Sequence, residues 1–131
     1  MLIEINDFDL TLLKDLFVSD KYYTKSMILS ELLEWQKEPD FLCLINYEKG
    51  LGSKINGFLI AHRVRNTLWI HQCFNRDRFD LKFTKQTIES VKKWAKDRGM
   101  ETITFETNRF KEKAWKRLGF KEYTVNYMLE L

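Results

Sequence analysis

The sequence predicts an α/β (α+β) domain, a mixed β-sheet flanked by helices. Three observations carry this reading. Hydrophobic periodicity along the chain gives the element order β-α-α-β-β-β-α-β-α-β. A long amphipathic segment, residues 83–98, separates two strand-like runs and suits a right-handed crossover between parallel strands. The chain has 131 residues, of which 44% are apolar and 15% aromatic, enough for one core and one domain spanning residues 1–131. Such an order packs as a mixed sheet with helices on both faces.

Residues 2–5 read as a short strand. Asn6 or Asp7 then caps a helix whose apolar face is Leu12, Leu13, Leu16 and Phe17. Residues 19–24 form a loop that carries Tyr22 and Tyr23. A second helix over residues 25–37 buries Ile28, Leu29, Leu32 and Trp35, and Pro39 stops it. Residues 41–47 form a strand. Gly50 and Gly52 lie in the following turn, but no helix succeeds them, so they make a hairpin and not a phosphate loop. Residues 57–64 and 67–74 read as antiparallel partners joined at Arg65-Asn66.

The charged loop 75–82 leads into the long helix. Phe83, Thr87, Ile88, Val91, Trp94 and Ala95 recur at helical spacing, with lysines opposite. Gly99 suits a left-handed helix stop. Residues 101–107 form a strand in which Ile103 and Phe105 alternate with Thr102, Thr104 and Glu106. This strand is expected parallel to residues 67–74. Asn108 breaks it, a short helix aligns Phe110, Ala114 and Leu118, Gly119 ends that helix, and Phe120 opens a closing strand.

The net charge of +3 hides an asymmetry. Residues 1–40 carry nine acids and four bases, a net of −5. Residues 76–98 carry eight bases and four acids, and residues 109–121 six bases and one acid. A basic C-terminal half suits a polyanion such as the phosphates of a nucleotide cofactor, or else is a solvated lysine face. No nucleic-acid motif accompanies the charge, which sets nucleic acid aside. The longest apolar run, residues 41–45, is far too short to cross a membrane. The first residues have neither the basic start nor the apolar stretch of a signal peptide, so a cytoplasmic protein is expected. Cys43 and Cys73 each sit in an apolar strand, which suggests buried, reduced thiols. Two cysteines and two histidines show no metal-ligand spacing, so no metal is expected.

Trp94-Ala95-Lys96, Gly99, Asn108 and Leu118-Gly119-Phe120 keep an order and spacing that resembles the C-terminal half of the GCN5-related N-acetyltransferase (GNAT) family. The resemblance covers roughly residues 57–131. It implies a GNAT-like mixed sheet, acetyl-CoA as acyl donor and an amine as acceptor. The family's Gln/Arg-x-x-Gly-x-Gly/Ala loop would fall on Phe79-Asp80-Leu81-Lys82-Phe83-Thr84, where Lys82 replaces the first small residue and only Thr84 is small. Small residues let backbone N–H groups approach a pyrophosphate at a helix N-terminus. That cradle is degenerate here. Arg76, Arg78, Lys82 and Lys85 are left to supply charge by side chains, which implies weak, salt-dependent acetyl-CoA affinity.

The resemblance also implies that the pantetheine arm pairs with the backbone at Cys73 and Phe74. The family's acidic Tyr falls on Trp115, whose indole N–H donates a hydrogen bond but is too weak an acid to replace a phenol. Asn108 keeps the family residue and equally caps the helix that follows. The family's strand-borne Glu is missing from residues 67–74; His71 is the one titratable base there, with His62 on the neighbouring strand. Both are of a type that more often serves structure. Cys73 and His71, two apart in a strand, would share a face, a weak hint of a nucleophilic pair.

Two functions follow. One is an acyl-CoA-dependent N-acyltransferase whose acidic first forty residues suit a cationic acceptor. The other is a GNAT-fold binding or assembly module, with a protein partner, that has lost coenzyme A.

Overall fold

A computed structural model gives the fold and describes residues 2–77, 81–106, 112–122 and 127–131, with backbone alone at 81–83 and 112–114. Five strands form one sheet in the order β1 (Leu2–Glu4), β2 (Phe41–Tyr47), β3 (Ile55–Val64), β4 (Thr67–Asn75) and β5 (Thr102–Phe105). The first three pairings are antiparallel, and β5 lies parallel to β4. The hairpin of β3 and β4 and the parallel β5 are as expected. Parallel neighbours need a crossover, which helix α2 (Leu81–Asp97) supplies.

Each sheet face buries its own cluster. One face of β2 and β3 sets Cys43, Ile45, Tyr47, Phe58 and Ile60 against Leu10, Leu13, Phe17 and helix α1 (Lys25–Trp35), through Ile28 and Leu32. The other sets Leu42, Leu44, Leu59, Ala61, Leu68 and Ile70 against Val91, Trp94 and Ala95 of α2. Both faces of β2 and β3 are covered, so these strands are buried nearly throughout.

The expected first helix is instead a 3-10 helix, Leu10–Leu16. Its period of three aligns Leu10, Leu13 and Leu16 on the core, and Leu12, assigned to the core at a 3.6 period, is 63% exposed. Asp9, and neither Asn6 nor Asp7, is its cap, accepting from the Thr11 amide at 3.1 Å. Thr24 caps α1 in the same way. Gly99 stands at φ 74° as expected, and the Met100 amide returns to the Ala95 carbonyl at 3.0 Å. The Trp94 indole donates to Glu4 at 3.0 Å and carries the Arg98 guanidinium on its ring at 3.8 Å, tying α2 to the first strand.

Helix α3 (Glu112–Arg117) ends at Gly119, where φ is 92°. The expected closing strand falls partly on residues 123–126, outside the described residues; the described residues 120–122 and 127–131 form no strand. Asn108 and Phe110 also lie outside the described residues.

Candidate active site

The sheet forks between β4 and β5. Their pairing runs from Thr67 opposite Thr102 to Ile70 opposite Phe105. There β5 ends, while β4 continues to Asn75. From His71 onward the outer edge of β4 has no strand partner among the described residues.

His71 is also a bulge. Opposite β3, Ile60 pairs with Gln72 and Ala61 with Ile70, which leaves His71 as the additional residue. A bulge interrupts alternation, so His71 and Gln72 reach the same face. His71 lies against Trp35 at the end of α1, and the Gln72 amide grips Val18, accepting from its N–H at 2.8 Å and donating to its carbonyl at 3.3 Å. Phe74, two residues on, stacks on Phe58 within the same cluster. Cys73 therefore points to the opposite face from His71, and the expected shared face is lost. Cys73 is also exposed, against the expectation of a buried thiol, because β5 stops before reaching it. Cys43 is buried as expected, and burial pushes its thiol up to about 12.

The two histidines meet. His71 Nε2 lies 2.6 Å from His62 Nδ1. The ring planes differ by 15° with centroids 4.5 Å apart, an edge-to-edge hydrogen bond. The Trp35 indole covers both rings, at 4.5 Å from His62 and 4.0 Å from His71. His62 is 6% exposed, whereas His71 is half-buried. Burial lowers the proton affinity of His62, partly opposed by Glu38. Burial and then the like charge of His62 push His71 down to about 3. Both shifts favour the neutral ring.

On the other bank of the fork, Trp115 of α3 meets Phe105 edge-on at 4.8 Å, and Phe120 closes the aromatic trio at 5.0 Å from Phe105. Two buried donors lack a hydrogen-bond partner among the described residues: Trp115 Nε1 and Asn75 Nδ2, one on each bank. Sequence reasoning missed Asn75, which no motif marks, and Trp35, which looked like ordinary helix core.

The other basic candidates spread out. Arg76 donates to the Ile55 carbonyl at 3.0 Å and sits 5.9 Å from the Phe74 ring centroid. Thr84 is half-buried near the start of α2. Lys85 lines an open groove of about 580 Å³ with Leu2, Gln86, Glu89 and Ser90, beside β1 at the sheet edge remote from β5. Arg78 and the Lys82 side chain lie outside the described residues. Among the described residues no three His, Cys, Asp or Glu side chains gather as a metal site, and no helix is long and apolar enough to cross a membrane.

No family model and no curated protein sequence matches the chain. Solved structures do. An aminoglycoside 6'-N-acetyltransferase from Acinetobacter haemolyticus superposes with TM-score 0.71 at 16% identity, over 100% of this chain and 98% of that one. AAC(6')-Iy, in complex with a coenzyme A bisubstrate analogue, gives TM-score 0.67 at 15% identity, over 100% and 98%. Glucosamine-6-phosphate N-acetyltransferase from Arabidopsis thaliana gives 0.65 at 15% identity, over 99% and 97%. At these identities the likeness is one of fold. The forked mixed sheet, the crossover helix and the full-length superpositions agree: this chain has the GNAT acetyltransferase fold.

Proposed function

We propose that the chain is an acyl-CoA-dependent N-acyltransferase acting at the fork on a primary amine of a cationic small molecule. The observation that carries this reading is the fork itself, with a neutral imidazole at its apex and an unpartnered buried donor on each bank. Buried donors are seldom left unpaired, and the carbonyls of a pantetheine thioester are suitable acceptors. Asn75 and Trp115 would hold the donor there, with the backbone of Cys73 and Phe74 beside the arm. Coenzyme A brings the acyl group as its thioester.

The amine nitrogen attacks the thioester carbon, the carbon–sulfur bond breaks, and the ammonium proton leaves to His71. Trp115 donates a hydrogen bond and orients; it does not protonate sulfur. A thiolate needs little help to leave, since a free thiol titrates near ~8.5. Holding both reactants in line supplies most of the acceleration. Phosphate contacts come from Arg78, Lys82 and the start of α2 near Thr84, with Arg76 bracing the end of β4. Lys85 is better placed to line the groove beside Leu2. Affinity for acetyl-CoA is accordingly weak and falls with salt. A cationic acceptor is supported by the net −5 of residues 1–40 and by the aminoglycoside enzymes among the structural neighbours.

The test is a calorimetric titration with acetyl-CoA and with desulfo-CoA, paired with thiol release over a panel of amines that includes sisomicin and glucosamine-6-phosphate. Expected are heat from both nucleotides, weakened by salt and by Arg78→Ala or Lys82→Ala, and thiol release with at least one amine. No heat at high micromolar protein would leave the fold as a binding or assembly module.

A further inference from the structure

We propose that Gln72 is a positioning residue for the amine acceptor: its carboxamide clamps Val18 and so fixes the loop 18–24 beside the opening between β4 and β5. The proposal rests on the acyltransferase reading above. Gln72 is a buried polar side chain, 6% exposed, on a face that also carries Phe58, Ile60 and Phe74. Burying a carboxamide in such company is costly unless it is hydrogen-bonded. Val18 meets that need at both ends. Gln72 Oε1 accepts from the Val18 N–H at 2.8 Å, and Nε2 donates to the Val18 carbonyl at 3.3 Å. The two groups on Val18 are backbone, one donor and one acceptor of fixed identity, so the orientation of the carboxamide follows. The pattern is the one that a neighbouring strand would offer.

The clamp sits at the opening. The last β4–β5 pair is Ile70 with Phe105, and Gln72 lies two residues further along β4. Without the bulge, Gln72 would share a face with Ile70, which packs toward α2; with it, Gln72 reaches the layer of the 3-10 helix and α1. Its neighbour His71 stacks on Trp35, the last residue of α1. The bulge therefore holds both ends of the stretch from Val18 to Trp35. Within that stretch Ile28 and Leu32 are packed in the core, whereas Val18 to Tyr22 are exposed. Phe17, edge-on to Phe58 at 6.0 Å, and the Thr24 cap fix where the loop leaves and rejoins the core. Among the described residues no backbone hydrogen bond joins residues 18–24 to the sheet. The loop is shaped from within, since Asp20 Oδ1 accepts from the Tyr22 and Tyr23 amides at 2.8 Å each. Its outer tie, Tyr22 and Lys21 to Glu130, is solvent-exposed and worth little. Gln72 is thus the buried tie that sets where the loop lies.

A cationic acceptor that enters the opening from this face passes the loop. Asp20 and Tyr22 are exposed there, and Asp20 Oδ2 makes no hydrogen bond among the described residues. The one cation of the loop, Lys21, is offset by Glu130 at 3.6 Å. A loop held in advance spares the acceptor the cost of ordering it. With the clamp gone, apparent affinity for the acceptor falls in proportion to the time the loop spends in place.

The experiment compares the full chain with Gln72→Leu and Gln72→Glu, by amide hydrogen exchange and by kinetics with acetyl-CoA and whichever amine of the panel the wild type turns over, sisomicin first. In the wild type the Val18 amide should exchange at least tenfold more slowly than that of Ser19. Gln72→Leu should lose that protection while the amides of β2 and β3 keep theirs. Its KM for the amine should rise roughly threefold to tenfold, with KM for acetyl-CoA little changed and kcat falling less than the amine KM rises. Gln72→Glu keeps the acceptor for the Val18 N–H but sets a carboxylate against the Val18 carbonyl. Protonated, it regains the donor, so Val18 protection and the amine KM should recover on lowering the pH to about 5.5, as burial raises its pKa. Gln72→Leu should show no such recovery, and Gln72→Glu carries the test if the leucine variant does not fold. Val18 protection unchanged in a folded variant overturns the proposal, as does a freed loop with the amine KM unaltered. If the wild type turns over no amine, the functional reading fails and the acceptor role with it, while the exchange data still decide whether Gln72 holds the loop.

Discussion

Acidification should unfold this protein earlier than its carboxylates alone dictate, through the histidine pair. An ordinary histidine titrates near ~6.5, whereas His71 is pushed down to about 3 and His62 is also lowered. The unfolded chain therefore binds more protons than the folded one between those values. Stability must rise with pH across this window, be fully present above about pH 6.5, and drain away as pH falls toward 3. At ~1.36 kcal/mol per pH unit, one ring kept neutral from pH 6.5 to 4.5 costs about 2.7 kcal/mol. His71 is only half-buried, and solvent screens part of this, so about 1–2 kcal/mol is the expected net effect. For a domain of this size that corresponds to roughly 3–8 °C in Tm. The assay is Tm against pH from 4.5 to 7 for the wild type, His71→Gln and His62→Gln. Subtracting each variant's curve removes the carboxylate contribution common to all three. The wild type should show the steepest loss on the acid side. Parallel curves would mean that the rings are protonated in the folded state, and the neutral pair would be refuted.

Other perturbations have equally direct readouts. A Cβ on Gly57 would meet the Phe74 carbonyl oxygen, a backbone atom, at 2.6 Å, so Gly57→Ala should cost about 1–3 kcal/mol in urea unfolding and loosen the β3–β4 pairing. Trp94→Phe removes the indole donor to Glu4 and should cost about 1 kcal/mol, and Glu4→Gln much less because its amide oxygen still accepts; denaturant midpoints check both. Trp115→Ala opens a hole between Phe105 and Phe120 and should cost roughly 3 kcal/mol, whereas Trp115→Phe keeps the aromatic contact and should change turnover only modestly. A stable Trp115→Ala protein without turnover would assign the indole N–H a larger catalytic share than positioning.

Period and punctuation made most of the fold legible. The run from Thr87 to Ala95 repeats at 3.6, ends on a glycine and lies between two strands, and a crossover helix onto a parallel strand is nearly the only packing for it. Residues 10–17 were harder. Apolar side chains at positions 10, 12, 13, 16 and 17 satisfy both a 3.6 and a 3.0 period, and the choice fell to whether Leu10 or Leu12 met the core. The Cys73 exposure was hidden for a related reason: an apolar strand residue is buried only where a neighbouring strand or helix covers it, and β5 stops at Phe105.

The sequence by itself determined the order of the five strands and of the helices between them, the buried stripe of α2 and the candidacy of His71 and Trp115. These are local properties, set by side-chain type and spacing within a few residues. Only the tertiary structure decided that β4 bulges at His71, that His62 and His71 share a hydrogen bond beneath Trp35, and that Asn75 Nδ2 and Trp115 Nε1 are buried without a hydrogen-bond partner among the described residues. A bulge arises from the register of two strands, and a register is settled by what each face must bury, not by the residue that becomes the extra one. Residues 35, 62 and 71 share no local pattern and meet only because the sheet and α1 bring them together.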